Sequence, residues 1–220
     1  ADPPILLKDP KRFEIYGFHS KINLQGDRLM LSVRWFPAKD HPQWDLFKND
    51  HDAVSMAWIT ADLAGGPLHC SVGPEEWVKG GHHATWFPDG KRISMNLNID
   101  RECLRFVQVD AEGTNLRKML DHVTGSGHPT VHPDDRHILT DTYTWEGTAY
   151  GDGTVPLRWV DLETGDEEVI VRINTKQPCD DPVLRVDPHP AWDRTWRYVT
   201  FNGFIGGTRR VFMADMKNFL

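Results

Sequence analysis

Four ungapped copies of one short unit, each followed by a third β-rich run, predict an all-β chain built as a β-propeller of about four four-stranded blades. The copies open at His19, His83, His128 and His189. Eighteen glycines and fifteen prolines spread along the 220 residues supply the many turns this needs. Nine tryptophans and ten phenylalanines supply large apolar surfaces for packing one sheet on the next.

Each copy reads as a hairpin. Three places after the histidine stands an apolar anchor: Ile22, Trp86, Val131 or Trp192. A polar turn follows, clearest in Pro88-Asp89-Gly90-Lys91, of the type that joins antiparallel neighbours. The second strand begins Leu29-Met30-Leu31, Ile93-Ser94-Met95, Ile138-Leu139-Thr140 or Val199-Thr200-Phe201. Third strands are expected at Ala57–Asp62, Leu104–Asp110, Leu157–Asp161 and Arg210–Asp215, each ending in aspartate. Fourth strands are expected at about Leu116–Leu120 and Glu168–Ile173. No long amphipathic helix interrupts this cadence.

The histidines are separated by 64, 45 and 61 residues, against ~40–50 for a compact blade. The two long steps carry insertions, around Pro37–Asp52 and Thr144–Val155. One domain over 1–220 results, with blades at about 13–75, 80–123, 126–177 and 183–220. The last blade stops after its third strand, and Arg12–Tyr16 is the stretch available to supply the missing one. Four blades are few, so the chain is expected to be part of a larger, seven-bladed type of propeller. A missing segment or another chain would complete it. A true four-bladed ring is the alternative.

A net charge of −7 and a pI of about 5.9 argue against a general nucleic-acid binder. A local basic pocket for an acidic ligand remains open to Arg34, Arg101, Arg158, Arg185, Arg209 and Arg210. No stretch approaches the ~18 apolar residues of a membrane helix. Three cysteines without a CxxC spacing form neither a disulfide framework nor a cysteine zinc site. HExxH, P-loop, GxGxxG and GxSxG motifs are absent. Tyr150-Gly-Asp-Gly-Thr reads as a turn that only faintly echoes a calcium loop.

Equivalent repeat positions sit at equivalent heights on the innermost strands, so the four histidines are expected to ring one end of a central channel. Imidazoles in such a ring either hold a transition metal, or form a coupled acid–base set, or bond a neighbouring blade as the histidine of WD repeats does. Asp187 lies two residues before His189, a spacing that puts both side chains on one face of an extended strand. Fifteen places after each histidine stand Arg34, Asn98, Tyr143 and Phe204. Tyr143 suits a base and Arg34 a charge neutraliser.

At these residues the sequence resembles a known family. His83-Ala-Thr-Trp-Phe-Pro-Asp-Gly90 resembles the H-x-x-W-x-P-D-G blade motif of oligogalacturonate lyases, and Asp187-Pro-His-Pro190 resembles their H-P-H-P motif. The 45-residue step from His83 to His128 is also theirs. The P-x-x-D-G part alone is shared with TolB-like propellers. The resemblance implies that His128 and His189 are metal ligands, with Asp187 in place of a ligand histidine and Leu184 in place of a ligand glutamine. It puts His83 in the catalytic centre, and it puts Met56 where the family has its arginine base. The implied cofactor is manganese, with zinc or calcium as alternatives; histidine ligands favour the transition metals.

The implied chemistry is β-elimination on a uronic-acid oligosaccharide or polysaccharide. The carboxylate beside C5 is neutralised, a base removes the C5 proton, and an acid meets the leaving oxygen. With methionine at the arginine position, Tyr143 or His83 is the expected base. His19, Arg185 and Arg209 are expected to bind substrate. Two other readings stand beside this one. The first is a non-catalytic sugar- or protein-binding propeller. The second is a glycoside hydrolase using Asp141 and Asp187 as a carboxylate pair.

Overall fold

A computed structural model of the chain describes residues 13–37, 55–176 and 184–220. Four sheets follow one another along the sequence, each meandering antiparallel. The first holds β1 (Phe13–Ile22), β2 (Arg28–Pro37), β3 (Ser55–Asp62) and β4 (His69–Val72). A single turn, α1 (Pro74–Trp77), leads to β5 (Gly81–Trp86), β6 (Arg92–Leu97), β7 (Arg105–Asp110) and β8 (Arg117–Lys118). The third sheet holds β9 (Thr130–Val131), β10 (His137–Thr140), β11 (Thr154–Asp161) and β12 (Glu167–Asn174). The fourth holds β13 (Ala191–Trp192), β14 (Tyr198–Ile205) and β15 (Thr208–Asp215), and has three strands among the described residues. This is the expected propeller of four blades.

The repeat turn accounts for the hairpins. In blade 2 the Phe87 N–H donates to Arg92 O at 2.8 Å, and Asp89 accepts from the N–H groups of Lys91 and Arg92 at 2.8 and 3.0 Å. Gly90 has φ +67°, and a Cβ there would lie 2.7 Å from the Asn23 amide of the blade 1 turn. The same repeat position is left-handed in every blade, at Gly26, Gly90, Asp135 and Trp196. Glycine adopts this conformation without strain; the other two carry some.

Apolar side chains pack blade against blade. Met30, Trp58, Trp86 and Ile93 join blades 1 and 2; Phe87, Phe106, Ile138 and Val160 join blades 2 and 3; Leu139, Trp159, Val199 and Phe201 join blades 3 and 4. Burying each such side chain stabilises the fold by roughly 1.5–3 kcal/mol.

The N-terminal stretch departs from expectation. Residues 13–16 do not complete the last blade but begin β1, with Phe13 opposite Pro37 and Tyr16 opposite Arg34. The ten-residue β2 offers partners along its whole length, so β1 runs through a bulge between Phe18 and Lys21 and stays paired. Arg12 and most of the Pro37–Asp52 insertion lie outside the described residues.

Candidate functional site

The repeat histidines converge as expected, through a distortion of the innermost strands. His19, His83 and His189 have φ of 52°, 56° and 47°. In blade 3 the left-handed residue is Gly127, at 46°, immediately before His128. The β5 ladder is bulged between His82 and Thr85, as β1 is around His19. Each bulge re-aims its side chain, which strict alternation along a strand would not do. Ring centroids lie 3.6 Å apart for His128 and His189, 3.9 Å for His83 and His128, and 6.3 Å for His19 and His83. A cavity of about 560 Å³ is lined by His83, His128 and His189 together with Lys21, Trp86 and Trp192.

A buried carboxylate organises the cluster. Asp141, the residue after β10, is 1% exposed. It accepts from the backbone N–H of His128 at 2.6 Å and of His189 at 2.9 Å, and from His128 Nδ1 at 2.9 Å. Burial opposes its charge, but these donors win and hold its carboxyl below the usual range. Tyr143, also buried, places Oη 3.1 Å from His128 Nε2 and 2.5 Å from His83 Nε2. The proton directions follow from the chemistry. Ionised Asp141 only accepts, so His128 Nδ1 donates to it, which in the Nδ1–H tautomer leaves Nε2 to accept from Tyr143. His83 Nε2–H then donates to Tyr143 Oη. The result is one chain, His83–Tyr143–His128–Asp141.

Three of the four repeat imidazoles are held neutral. Burial, and then the neighbouring His128, push His83 and His189 down; burial, Lys21 and Arg34 push His19 down. Burial, and then the charges of Asp187 and Asp141, push the Tyr143 phenol up. Lys21 donates to Ala84 O at 2.6 Å, and burial brings it down to about 8. Neutral His19, His83 and His189 take up protons near pH 6.5 once unfolded. Their folded values are lowered, so stability is full above about pH 6.5 and falls as pH drops below it. The urea midpoint is expected to fall between pH 7.5 and 5.5, and a midpoint unchanged across that span would contradict the neutral cluster.

The other expected residues lie at or near the mouth with different engagements. Arg34 sits on β2 beside His19, its guanidinium 4.4 Å from the Phe18 ring and Nε 3.2 Å from Met56 Sδ. It stands directly across the ladder from Met56. Arg185 binds Asp187 at 2.7 and 3.1 Å, so that carboxylate faces an arginine rather than the imidazoles. The i,i+2 expectation fails there because residues 185–190 are not strand and His189 is left-handed. Arg209 on β15 donates to the carbonyls of Leu184 and Arg185 at 3.1 and 3.0 Å, bracing that segment. Arg158 is buried against Glu167 and Ser126.

The expected ligand set of His128, His189 and Asp187 is therefore not assembled. Both ring nitrogens of His128 are engaged, Asp187 is held by Arg185, and no three His, Cys, Asp or Glu side chains are grouped to hold a metal ion among the described residues. As placed, these side chains do not form a site for manganese, zinc or calcium among the described residues. Nor do Asp141 and Asp187 form a hydrolase pair, since both oxygens of Asp141 are committed to His128 and His189.

Besides Lys21, two site residues escaped the sequence reading. Glu146 accepts from Tyr143 N at 2.8 Å and Gly127 N at 3.1 Å, and lies 3.2 Å from His82 Nε2. It thereby ties the Thr144–Val155 insertion to the histidine ring. His82 stands beside His83 with centroids 4.7 Å apart. The doubled histidine at 82–83 was the available signal; nothing local marks Glu146.

No protein-family model matches the chain, and no curated protein matches it. Solved structures do. TolB from Acinetobacter baumannii superposes with a TM-score of 0.55 at 13% identity, over 99% of this chain and 60% of that one. An oligogalacturonate lyase in complex with manganese gives 0.50 at 14% identity, over 94% and 67%. Prolyl endopeptidases give 0.57 at 13% identity, over 91% and 28%. At such identities the likeness is one of fold, the β-propeller. The chain spans about two thirds or less of these larger chains.

Proposed function

We propose that the chain carries the catalytic face of a β-propeller lyase that cleaves a uronic-acid-containing glycan by β-elimination. The observation that carries this reading is the hydrogen-bonded chain from His83 through Tyr143 to His128 and Asp141. A buried phenol with a raised pKa is a poor acid by itself. Next to an imidazole whose other nitrogen is held by a buried aspartate, it has somewhere to send its proton. Tyr143 passes its proton to His128, and the resulting imidazolium is stabilised by Asp141. The phenolate takes the C5 proton, the C5–H electron pair becomes the C4–C5 double bond, and the C4–O bond breaks. The proton that moved to His128 is the one the leaving oxygen needs, so the site returns to its starting state. Arg185 and Lys21 supply the positive charge that makes the C5 proton acidic.

The test is incubation with galacturonate, mannuronate and glucuronate oligosaccharides, following the ultraviolet absorbance of an unsaturated uronate. A rise with at least one of them is expected, unchanged by EDTA or added manganese. No rise with any would leave a sugar-binding propeller as the better reading. Manganese is the cofactor the resemblance implies. Turnover that EDTA abolishes and manganese restores would return His128 and His189 to a ligand pair and displace the proton route through His128.

The flanks support further blades as partners. Ile15 on blade 1, and Val211 and Met213 on β15, are exposed apolar side chains on faces where a closed ring has neighbours. More of the same polypeptide, or a second chain, completes the ring in this reading.

A further inference from the structure

We propose that the exposed indole of Trp145 is the stacking platform of an anionic sugar subsite, with Arg185 and Lys176 receiving the uronate carboxylate. This rests on the elimination reading for its ligand class, but on separate observations for its place. Trp145 is 63% exposed, unusual for so large an apolar side chain. One face of its ring is stacked on Tyr143, with centroids 4.5 Å apart and planes at 10°. The opposite face is thus left to carry the exposure. The apolar CH face of a pyranose fits such a surface, as ligand sites pair aromatic walls with a few placed polar groups.

The surroundings make this a built site. Arg185 lies 5.2 Å from the Trp145 ring and 5.5 Å from that of Tyr143. A cavity of about 430 Å³ is lined by Thr142, Tyr143, Trp145, Lys176, Arg185 and Asp187. Two cations and one carboxylate give it a net positive wall in a chain whose overall charge is −7. The platform is also held in place: the next residue, Glu146, fixes the backbone of Tyr143 and Gly127. An indole stacked on a fixed neighbour loses little freedom when a sugar settles on its other face. The indole stands between that sugar and Tyr143, so the subsite holds a unit next to the reacting one and positions the chain rather than presenting the C5 proton itself.

Calorimetric titration of the full chain with trigalacturonate, trimannuronate and triglucuronate tests this, with Trp145→Ala and Trp145→Phe compared to the parent. The parent is expected to bind at least one trimer. Trp145→Ala is expected to weaken it by about tenfold or more, and Trp145→Phe to stay within about threefold. Galactotriose, which lacks the carboxylates, is expected to bind at least tenfold more weakly than trigalacturonate. Equal affinity of Trp145→Ala and parent overturns the platform, as does a parent that binds none of the three. Circular dichroism of each variant separates a lost subsite from a lost fold. Binding that depends on Trp145 with no unsaturated product leaves the subsite standing and removes the elimination reading; product without dependence on Trp145 does the reverse.

Discussion

Tyr143→Phe is expected to lower turnover on the responsive uronate substrate by about 10²- to 10⁴-fold while binding changes little. The substitution removes one hydroxyl and keeps the ring that packs on Trp145. What disappears is the single group that touches both His83 Nε2 and His128 Nε2. The folded protein is expected to lose about 1–3 kcal/mol, because His83 and His128 each lose a partner. Steady-state kinetics with a parallel melting curve give the answer. A variant retaining half or more of the parental kcat would remove Tyr143 from the reaction. His83→Asn would then be the next variant, since it alters the other end of the same chain.

Asp141→Ala is expected to cost about 3–5 kcal/mol of stability, the largest effect of any single change at the site. The carboxylate is 1% exposed and binds two backbone N–H groups and one imidazole. Alanine leaves all three donors buried and unanswered, at the junction where blade 3 meets blade 4. Asp141→Asn preserves the volume but only one acceptor oxygen, so a smaller loss is expected. The pH dependence has a definite sign. The folded pKa of Asp141 is lowered, so its contribution is complete above about pH 4 and disappears as pH falls through the folded value. Guanidinium unfolding of the three proteins at pH 7 measures this. A loss under 1 kcal/mol for alanine would mean that other groups hold His128 and His189.

The blades were legible because they repeat. Local pattern, turn chemistry and apolar alternation point the same way in each copy, and every expected third strand appears within a few residues. Pairing partners were less legible: the stretch at 13–16 is β-rich wherever it goes, and only the unbroken length of β2 decides that it extends β1. At the site, the histidines stood out because their position recurs. Asp141 and Glu146 act once each, by reaching backbone N–H groups of segments distant in sequence, and no spacing rule marks such contacts. Asp187 shows the converse error. The i,i+2 rule presumes an extended chain, and the left-handed turn at His189 breaks it.

That turn has a consequence for how such a protein changes over generations. A left-handed histidine is roughly 1–2 kcal/mol dearer than an ordinary backbone conformation, and His19, His83 and His189 all adopt it. Asparagine or glycine fits those positions more comfortably. A lineage screened only for heat resistance is therefore drawn to shed these three imidazoles. His128 feels no such pull, because Gly127 already makes the turn on its behalf. Selection for heat resistance alone is thus expected to replace His19, His83 or His189 before it touches His128.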